Sequence, residues 1–287
     1  MHPPPPADAR TPRWNRVSEP SGNIHVHRVH GKLQAPSGLP GDRTVEVWYA
    51  PVTGASGESP FSTHPVSHHD LERAQRFRNE AGRTRFLSAR RALRSLLAAY
   101  LSTDPGELAL SADRKGKPHV ASVSAGEAPI RFNVAHSGAW IILAFGTHRE
   151  VGIDLEEAGH LPDLEALARR TLSPEEMEDF SGLPPELQHP LFFQAWTRKE
   201  AFLKALGMGL SLPPSQVTTG LGPEPAILRS YSEPGAAERN AGNWTVQSIP
   251  APPGYAAAIS FQGTGARIRL MEGPRAWLVE PRPVHGP

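Results

Sequence analysis

The alternation of apolar and polar positions divides the chain into short strand-like segments and longer helix-like ones. "TVEVWYA" at 44–50 alternates as a half-buried strand does, and "ELALSAD", "GKPHV" and "RFNVAHSGAWIILAFGT" are further strand candidates. In the last of these, the apolar run 139–145 is typical of a buried strand, which His136 and Ser137 enter. "GTHRE" at 146–150 favours a hairpin connection. With the helical segments, these patterns predict a mixed α+β fold over about residues 45–261.

An arginine-rich stretch from about Asp70 to Leu101 predicts a long helix. Apolar residues follow one another there at helical spacing, namely Phe86, Ala89, Leu93, Leu96, Leu97 and Tyr100. The same stretch carries closely spaced positive charges, namely Arg73, Arg76, Arg78, Arg83, Arg85, Arg90, Arg91 and Arg94. A solvated helix face explains any single one of these arginines, whereas the cluster as a whole indicates an anion site.

Two more helices follow in the second half of the chain. Ser173, Pro174 and Glu176 have the spacing of an N-cap, a first-turn proline and a capping-box acid. "HPLFFQAWTRKEAFLKALG" then predicts a helix of about four turns that Gly207 terminates. Glu200 and Lys204 are four residues apart on this helix. Taken alone, that spacing indicates an ordinary ion pair worth about 0.3 kcal/mol.

The stretch "VGIDLEE" at 151–157 places acids inside an alternating apolar run. In a strand, its Val, Ile and Leu take one face, and Gly152, Asp154 and Glu156 take the other. Two carboxylates on one strand face repel each other unless solvent or a cation intervenes, and hard divalent cations prefer oxygen ligands. The pattern therefore indicates either a strand edge with a solvated polar face or half of a magnesium site.

Composition excludes several classes of protein. The 287 residues allow one large domain or two modest ones, and the absence of cysteine excludes disulfides, thiolate metal sites and a cysteine nucleophile. The net charge of +1 is lower than expected for a protein held on nucleic acid by phosphate neutralisation. "MHPPPPADARTPRWN" lacks the apolar core of a secretory signal, and no apolar run is long enough to cross a bilayer. We expect a soluble, cytoplasmic protein whose proline-rich ends, 1–43 and 263–287, are disordered tails.

Two short motifs upstream of the acids leave alternatives open. Lys117 stands between Gly116 and Pro118 in a turn, which can present a lysine to a phosphate or can be only a loop. The pair His136 and Ser137 can bind an anion or can simply satisfy the backbone at a strand end.

"VGIDLEE" and "WTRKEAFLKALGMGL", separated by about forty residues, together resemble the 4′-phosphopantetheinyl transferase superfamily. The signature of that family is a Gly-x-Asp-x-Glu strand followed by a Trp-x-x-Lys-Glu-x-x-x-Lys helix, and the match is residue for residue. The similarity extends upstream through "GKPHV" and "FNVAHSGAW" to the arginine-rich helix, and it is closest to the longer, monomeric surfactin-synthetase-activating type. Ala135 departs from the family, since many relatives have serine there, and the proline-rich ends are additional.

The resemblance implies transfer of the phosphopantetheine arm of coenzyme A to a serine of an apo acyl or peptidyl carrier protein, leaving adenosine 3′,5′-bisphosphate. It implies that Asp154, Glu156 and Glu200 hold Mg²⁺, for which Mn²⁺ is a substitute with the same oxygen preference. Glu200 would also help to deprotonate the carrier serine, and Lys204 would contact the pyrophosphate. The residues implied around the nucleotide and its phosphates are Arg90, Lys117, Pro118, His136 and Ser137, with Arg73 and Arg85 as further candidates.

The family fold implies two similar α+β halves related by a pseudo-twofold axis, with coenzyme A in the cleft between them. Residues 44–147 would supply the nucleotide contacts and residues 148–262 the metal ligands and the docking face for the carrier. Two rivals remain: a metal-dependent phosphodiesterase that uses water as its nucleophile, and a non-catalytic module that binds carriers. Surface and pocket shape, which the sequence does not show, decide whether a fatty-acid, polyketide or peptide synthetase is served.

Overall fold

The computed structural model describes residues 24–28, 38–52, 66–114, 116–121, 130–222, 228, 230–231, 239–240 and 243–272. The strands are β1 (Ile24–Arg28), β2 (Thr44–Pro51), β3 (Leu110–Ala112), β4 (Pro118–Val120), β5 (Ile130–Ser137), β6 (Trp140–Thr147), β7 (Val151–Glu157), β8 (Val217–Thr218), β9 (Ser230–Tyr231), β10 (Arg239–Asn240), β11 (Trp244–Ile249), β12 (Tyr255–Gln262) and β13 (Arg267–Glu272). The helices are α1 (His68–Ala74), α2 (Glu80–Leu101), α3 (Leu164–Thr171), α4 (Pro174–Ser181) and α5 (Pro185–Leu206). The predicted mixed α+β class is confirmed.

Two sheets face each other across a shared core. One has the strand order β1-β13-β2-β6-β5, and the other has the order β11-β12-β7. Apolar side chains from the inner faces of both meet, among them Val47 and Ile142 from the first and Ile153 and Ile259 from the second. Helix α2 packs against the outer face of the first sheet, and α5 packs against β7 and β12 of the second. The result is four layers, helix–sheet–sheet–helix.

The predicted tails are wrong at two places. Within 1–43, the chain forms β1, and within 263–287 it forms β13, which lies parallel to both β1 and β2. The reason is burial: Ile268 and Leu270 alternate into the shared core with exposed fractions of 0% and 2%. Of the rest of the tail prediction, residues 1–23, 29–37 and 273–287 lie outside the described residues.

Helix boundaries follow local capping signals where these exist. The capping box of Ser173 and Glu176 forms as predicted, with Pro174 in the first turn of α4, and α5 ends at Gly207, whose φ is 65°. Helix α5 starts earlier than predicted and keeps Pro190 inside. The single long helix predicted from Asp70 is instead α1 and α2, separated at 75–79. The Asn79 side chain caps α2 by accepting from the Gly82 N–H.

The segment predicted as one strand around His136 is a hairpin. Strand β5 ends at Ser137, which pairs with Trp140 at the start of β6, and Gly138 takes a φ of 50° in the two-residue turn between them. His136 and Ser137 therefore lie at the end of β5 and do not enter the apolar strand. The connection 148–150 joins strands of different sheets, so the hairpin predicted there is also wrong. No helix among the described residues is long and apolar enough to cross a membrane.

Candidate active site

A glycine in β7 brings this strand into direct contact with α5. A Cβ atom at Gly152 would overlap the carbonyl oxygen of Ala201 and the backbone nitrogen of Ala205. Only hydrogen fits there, so the strand and helix backbones touch. Asp154 and Glu156 follow on the same face of β7, because side chains alternate along a strand.

The closest contact on this face joins Asp154 of β7 to Lys204 of α5. Lys204 Nζ lies 2.5 Å from Asp154 Oδ1. The Asp154 residue is 2% exposed, and its second oxygen, Oδ2, is buried without a hydrogen-bond partner among the described residues. A buried carboxylate oxygen without a partner is costly and marks a position that a ligand can satisfy.

The two glutamates at the site have raised pKa values. Burial raises the pKa of Glu156, and the negative charges of Asp154 and Glu200 raise it further, although the Ser137 hydroxyl donates to Glu156 Oε2 at 3.0 Å. Burial also raises the pKa of Glu200, and Asp154 adds to the shift, with Lys204 opposing it. The three acids therefore lie close enough to repel one another, as residues that share a cation do.

The three acids fit a divalent cation chemically, although the described residues contain no group of three or more Asp, Glu or His side chains arranged to hold a metal ion as they stand. The contacts explain this. Lys204 engages one oxygen of Asp154, and the Ser137 hydroxyl engages one oxygen of Glu156. The unpaired Asp154 Oδ2 and the carboxylates of both glutamates are oxygen donors of the kind that Mg²⁺ prefers, and a cation would relieve the repulsion that raises the pKa values of the glutamates.

Two polar residues of β5 fix the position of β7, one of which the sequence analysis missed. The Ile153 N–H donates to Asn133 Oδ1 at 3.0 Å, and the Glu157 N–H donates to Ser137 Oγ at 3.0 Å. A polar Asn133 between the apolar Phe132 and Val134 was the available signal for this role. Ala135, which departs from the family pattern, lies in the core between the sheets and only packs.

His136 points to the opposite side of β5 from Ser137. Desolvation lowers the pKa of His136, and the positive charges of Arg85 and Lys204 lower it further against its own backbone hydrogen bond. Arg85 belongs to α2 in the first half of the chain and Lys204 to α5 in the second. The charges of one cation from each half of the chain therefore act on the imidazole, which suits an anionic ligand.

The other predicted arginines lie around α1 and α2. Arg90 Nε donates to Asp70 Oδ1 at 2.7 Å, and Arg94 Nε donates to the second oxygen of the same buried carboxylate at 3.2 Å. Burial alone would raise the pKa of Asp70, but the two arginines and Ser67 lower it overall. Arg73 is exposed and lies over the Phe86 ring, 5.3 Å from its centroid.

Lys117 is bound entirely to protein acceptors. Its Nζ donates to Glu150 Oε2 at 2.6 Å, to the Ala205 carbonyl at 2.7 Å and to the Val151 carbonyl at 3.3 Å. Pro118 follows as the first residue of β4, where proline costs no ladder hydrogen bond. The structure thus draws Lys117 to the second half of the chain.

Lys199, which precedes Glu200, makes its contacts in the protein interior. Lys199 Nζ lies 2.5 Å from Glu176 Oε2, and it also donates to the carbonyls of Pro214 and Val217. Both members of this ion pair are fully buried. The sequence indicated Glu176 only as a capping residue, and it also accepts from the Thr219 and Gly220 N–H groups.

Both halves of the chain match models of one protein family. The model of the 4′-phosphopantetheinyl transferase superfamily matches residues 150–259, and the model of the 4′-phosphopantetheinyl transferase N-terminal region matches residues 56–148. A solved structure of Thermotoga maritima holo-[acyl-carrier-protein] synthase also matches at 23% identity, over 40% of this chain and 63% of that chain, with a TM-score of 0.28. That overlap is too small to support a structural comparison.

Curated relatives carry the same description over long alignments. The 4′-phosphopantetheinyl transferase HetI of Nostoc sp. is 33% identical over 222 residues, which is 77% of this chain and 89% of the relative. A putative 4′-phosphopantetheinyl transferase of Synechocystis sp. is 34% identical over 64% of this chain and 72% of its own length. Sfp of Bacillus subtilis is 31% identical over 52% of this chain and 63% of its own length. The resemblance seen in the motifs is confirmed, and the chain belongs to the 4′-phosphopantetheinyl transferase superfamily, in the type with an N-terminal and a C-terminal half.

Proposed function

We propose that this protein transfers the phosphopantetheine arm of coenzyme A to a serine of an apo acyl or peptidyl carrier protein, with Asp154, Glu156 and Glu200 as the ligands of Mg²⁺. Phosphopantetheinyl transferase activity itself follows from membership of the family. The observation that carries the residue assignment is the contact of β7 with α5 at Gly152, which gathers three mutually repelling acids beside Lys204.

The acids and the lysine have separate tasks in this proposal. When bound, the cation neutralises phosphate oxygens of coenzyme A and so lowers the barrier to breaking the pyrophosphate. Lys204, whose side chain is 32% exposed, can turn from Asp154 to a non-bridging phosphate oxygen as a point charge. Glu200, which precedes Lys204 by one turn of α5, is the carboxylate that we propose accepts the proton of the carrier serine.

The nucleotide of coenzyme A lies, in our proposal, against the first half of the chain. We place Arg85 and His136 together against the nucleotide, because Arg85 is near enough for its charge to lower the pKa of His136. Arg90 uses Nε for Asp70, which orients its guanidinium and leaves the proposed 3′-phosphate contact to its other nitrogens. Arg73 is exposed beside Phe86 and adds positive charge. Ser137 contributes through Glu156, to which it donates.

Two similar halves related by a pseudo-twofold axis remain our proposal for the architecture. In support, β2-β6-β5 and β11-β12-β7 are each three antiparallel strands, and each set packs against a 22-residue helix, α2 or α5. The limits of the two family matches, at residues 148 and 150, support a division at 147/148. Because one chain supplies both halves of the site, we propose that the enzyme acts as a monomer, with the carrier docking on the second half.

The test is intact mass spectrometry of several apo carrier proteins incubated with the enzyme, coenzyme A and Mg²⁺. We expect each true partner to gain one phosphopantetheine mass, and we expect both a chelator and the Asp154→Ala variant to abolish the gain. Replacing Mg²⁺ with Mn²⁺ in the same assay shows whether both ions support transfer. Cleavage of coenzyme A without any gain would instead establish a phosphodiesterase. Intact coenzyme A with tight carrier binding would establish a binding module.

A further inference from the structure

We infer that Lys117 is a positioning residue, which braces the carboxyl end of α5 against the first residue of β7, and that it makes no contact with a phosphate of coenzyme A. The inference departs from the role that the family resemblance implies for this lysine. It rests on the bonding of one ammonium group and on the elements that this group joins.

The ammonium of Lys117 has no donor to spare. A lysine ammonium carries three N–H groups, and Lys117 directs them to three acceptors, namely Glu150 Oε2, the Val151 carbonyl and the Ala205 carbonyl. Its side chain is 12% exposed. A phosphate could be bound only by breaking one of these bonds, and loss of the bond to the Val151 or Ala205 carbonyl would leave a backbone acceptor without its Lys117 donor, which is costly.

The acceptors lie on the two elements that carry the proposed catalytic groups. Val151 is the first residue of β7, the strand that holds Asp154 and Glu156. Ala205 follows Lys204 in the last turn of α5, where carbonyls have no helical N–H partner. A cation at this end of a helix is also favoured by the helix dipole.

The turn that presents Lys117 is itself held in place. The Lys117 N–H donates to Asp113 Oδ1 at 2.9 Å, and the Asp113 N–H donates to the Lys117 carbonyl at 3.0 Å. At the far end, Gly207 packs over the lysine, because a Cβ there would lie 3.3 Å from Lys117 Cδ. Hydrogen bonds to Asp113 thus hold the backbone of Lys117, and Gly207 packs against its aliphatic side chain.

Glu150 completes the brace from the connection between the two halves. Its Oε2 accepts from Lys117 Nζ, and its Oε1 accepts from Arg131 Nε of β5 at 3.1 Å. Both cations come from the first half of the chain, whereas the carboxylate precedes β7 directly. Lys117 therefore links the first half to both catalytic elements of the second, and its loss should misplace groups by tenths of an ångström without removing a substrate contact.

The experiment is a double-mutant cycle in the full-length enzyme with Lys117→Met and Glu150→Gln. We expect each single variant to lower Tm by about 4 °C, and to lower kcat by about tenfold with the KM for coenzyme A within about twofold of the parent. The loss in the double variant should be smaller than the sum of the two single losses, since both changes remove the Lys117–Glu150 ion pair. Arg169→Met, which removes an exposed ion pair with Glu165, is the control and should change neither Tm nor kcat.

Lys117→Arg separates the brace from a phosphate contact. Arginine binds phosphate well, so a phosphate contact would survive this change with a near-normal KM. The planar guanidinium cannot direct three donors from one nitrogen in the space of an ammonium, so the brace should fail and Tm should fall as it does for methionine. An increase in KM of tenfold or more in Lys117→Met that disappears with 3′-dephospho-coenzyme A would overturn the inference. Additive losses in the cycle would overturn it as well.

The stability readout does not depend on the proposed function. Coupling of Tm between Lys117 and Glu150 reports the brace in the absence of any substrate, whereas the split between kcat and KM also requires transferase activity. A parent enzyme that modifies no carrier but shows the coupling would refute the proposed function and leave the brace intact. A parent enzyme that modifies carriers but shows no coupling of Tm between Lys117 and Glu150 would support the proposed function and refute the brace.

Discussion

At the scale of single residues, the site depends first on Gly152, which has no side chain to hold β7 away from α5. Gly152 allows the backbone of β7 to touch α5, and no rotamer change can make room for a Cβ, because the atoms it would meet are backbone atoms of Ala201 and Ala205. The sequence indicated this glycine only as a small residue on the acidic face of a strand. Its physical role appears only when the helix that it touches, about fifty residues further along, is in place.

Gly152→Ala should therefore separate the proposed metal ligands of β7 from Glu200. We expect the rate of carrier modification to fall by about a hundredfold and the free energy of unfolding to fall by about 2 kcal/mol. Thermal unfolding and the mass-spectrometric assay measure the two effects. Gly159→Ala is the matched control, since its Cβ would meet no atom within 4 Å, and it should behave as the parent. A fully active Gly152→Ala enzyme would contradict this account of the site.

Glu200→Gln tests the proposed base while keeping the shape of the side chain. We expect kcat to fall by about a hundredfold or more, with little change in the affinity for coenzyme A. Because the folded protein raises the pKa of Glu200, the protonated form contributes stability that is fully present below pH 4.5 and is lost as the pH rises through the raised pKa.

The same substitution should not destabilise the protein. In the presence of a chelator, the Tm of Glu200→Gln should equal that of the parent at low pH and exceed it by an increasing margin towards neutral pH. Thermal unfolding at a series of pH values measures this margin. A variant that is inactive and also less stable at every pH would mean that Glu200 is structural.

At the scale of elements, local signals predicted the helix ends and failed at the turns. The box of Ser173 and Glu176 and the glycine after α5 involve residues at most a few positions apart, so the sequence contains the whole interaction. The break before α2 and the turn at Gly138 depend on what the flanking elements pack against. The periodicity of the apolar residues on either side did not mark them.

The buried pair of Glu176 and Lys199 couples α4 to the helix that carries Glu200. Burial alone would raise the pKa of Glu176, but Lys199 and the N–H groups of Ser173 and Thr219 lower it overall. A lowered pKa means that the ionised form contributes stability that is present above pH 4.5 and is lost as the pH falls through the lowered value. Glu176 is thus one of the groups whose protonation favours acid unfolding.

Glu176→Gln should accordingly cost about 3 kcal/mol at neutral pH, because it leaves the Lys199 charge buried without its counter-ion. The difference from the parent should shrink as the pH falls below the lowered pKa, where the parent also becomes protonated. Urea unfolding at neutral and acidic pH measures the loss in the free energy of unfolding and its dependence on pH. Glu165→Gln, which removes an exposed pair with Arg169, is the control and should have no measurable effect. A loss that is independent of pH would show that the charge of Glu176 is not what matters.

At the scale of the whole molecule, the sequence predicted the class of fold and the acidic strand but not which elements are neighbours. The family motifs identified Asp154, Glu156, Glu200 and Lys204, and the structure brings Lys204 to Asp154 and the charges of all three acids within reach of one another. The pairing of β1 with β13 joins residues more than two hundred positions apart, and no local pattern contains that information. Lys117 shows the same limit, because its acceptors come from two distant segments.

Strand β13 offers a test of where the fold ends. A disordered segment at 263–287 would tolerate any substitution, whereas the structure buries Ile268 completely between β1 and β2. Ile268→Ala should cost about 3 kcal/mol and lower Tm by about 8 °C, because it leaves a cavity in the core that the two sheets share. Arg267→Ala changes the exposed neighbour and should leave Tm unchanged. Since this core also supports the inner face of β7, a parent-like Tm for Ile268→Ala would mean that β13 is not part of the folded unit in solution.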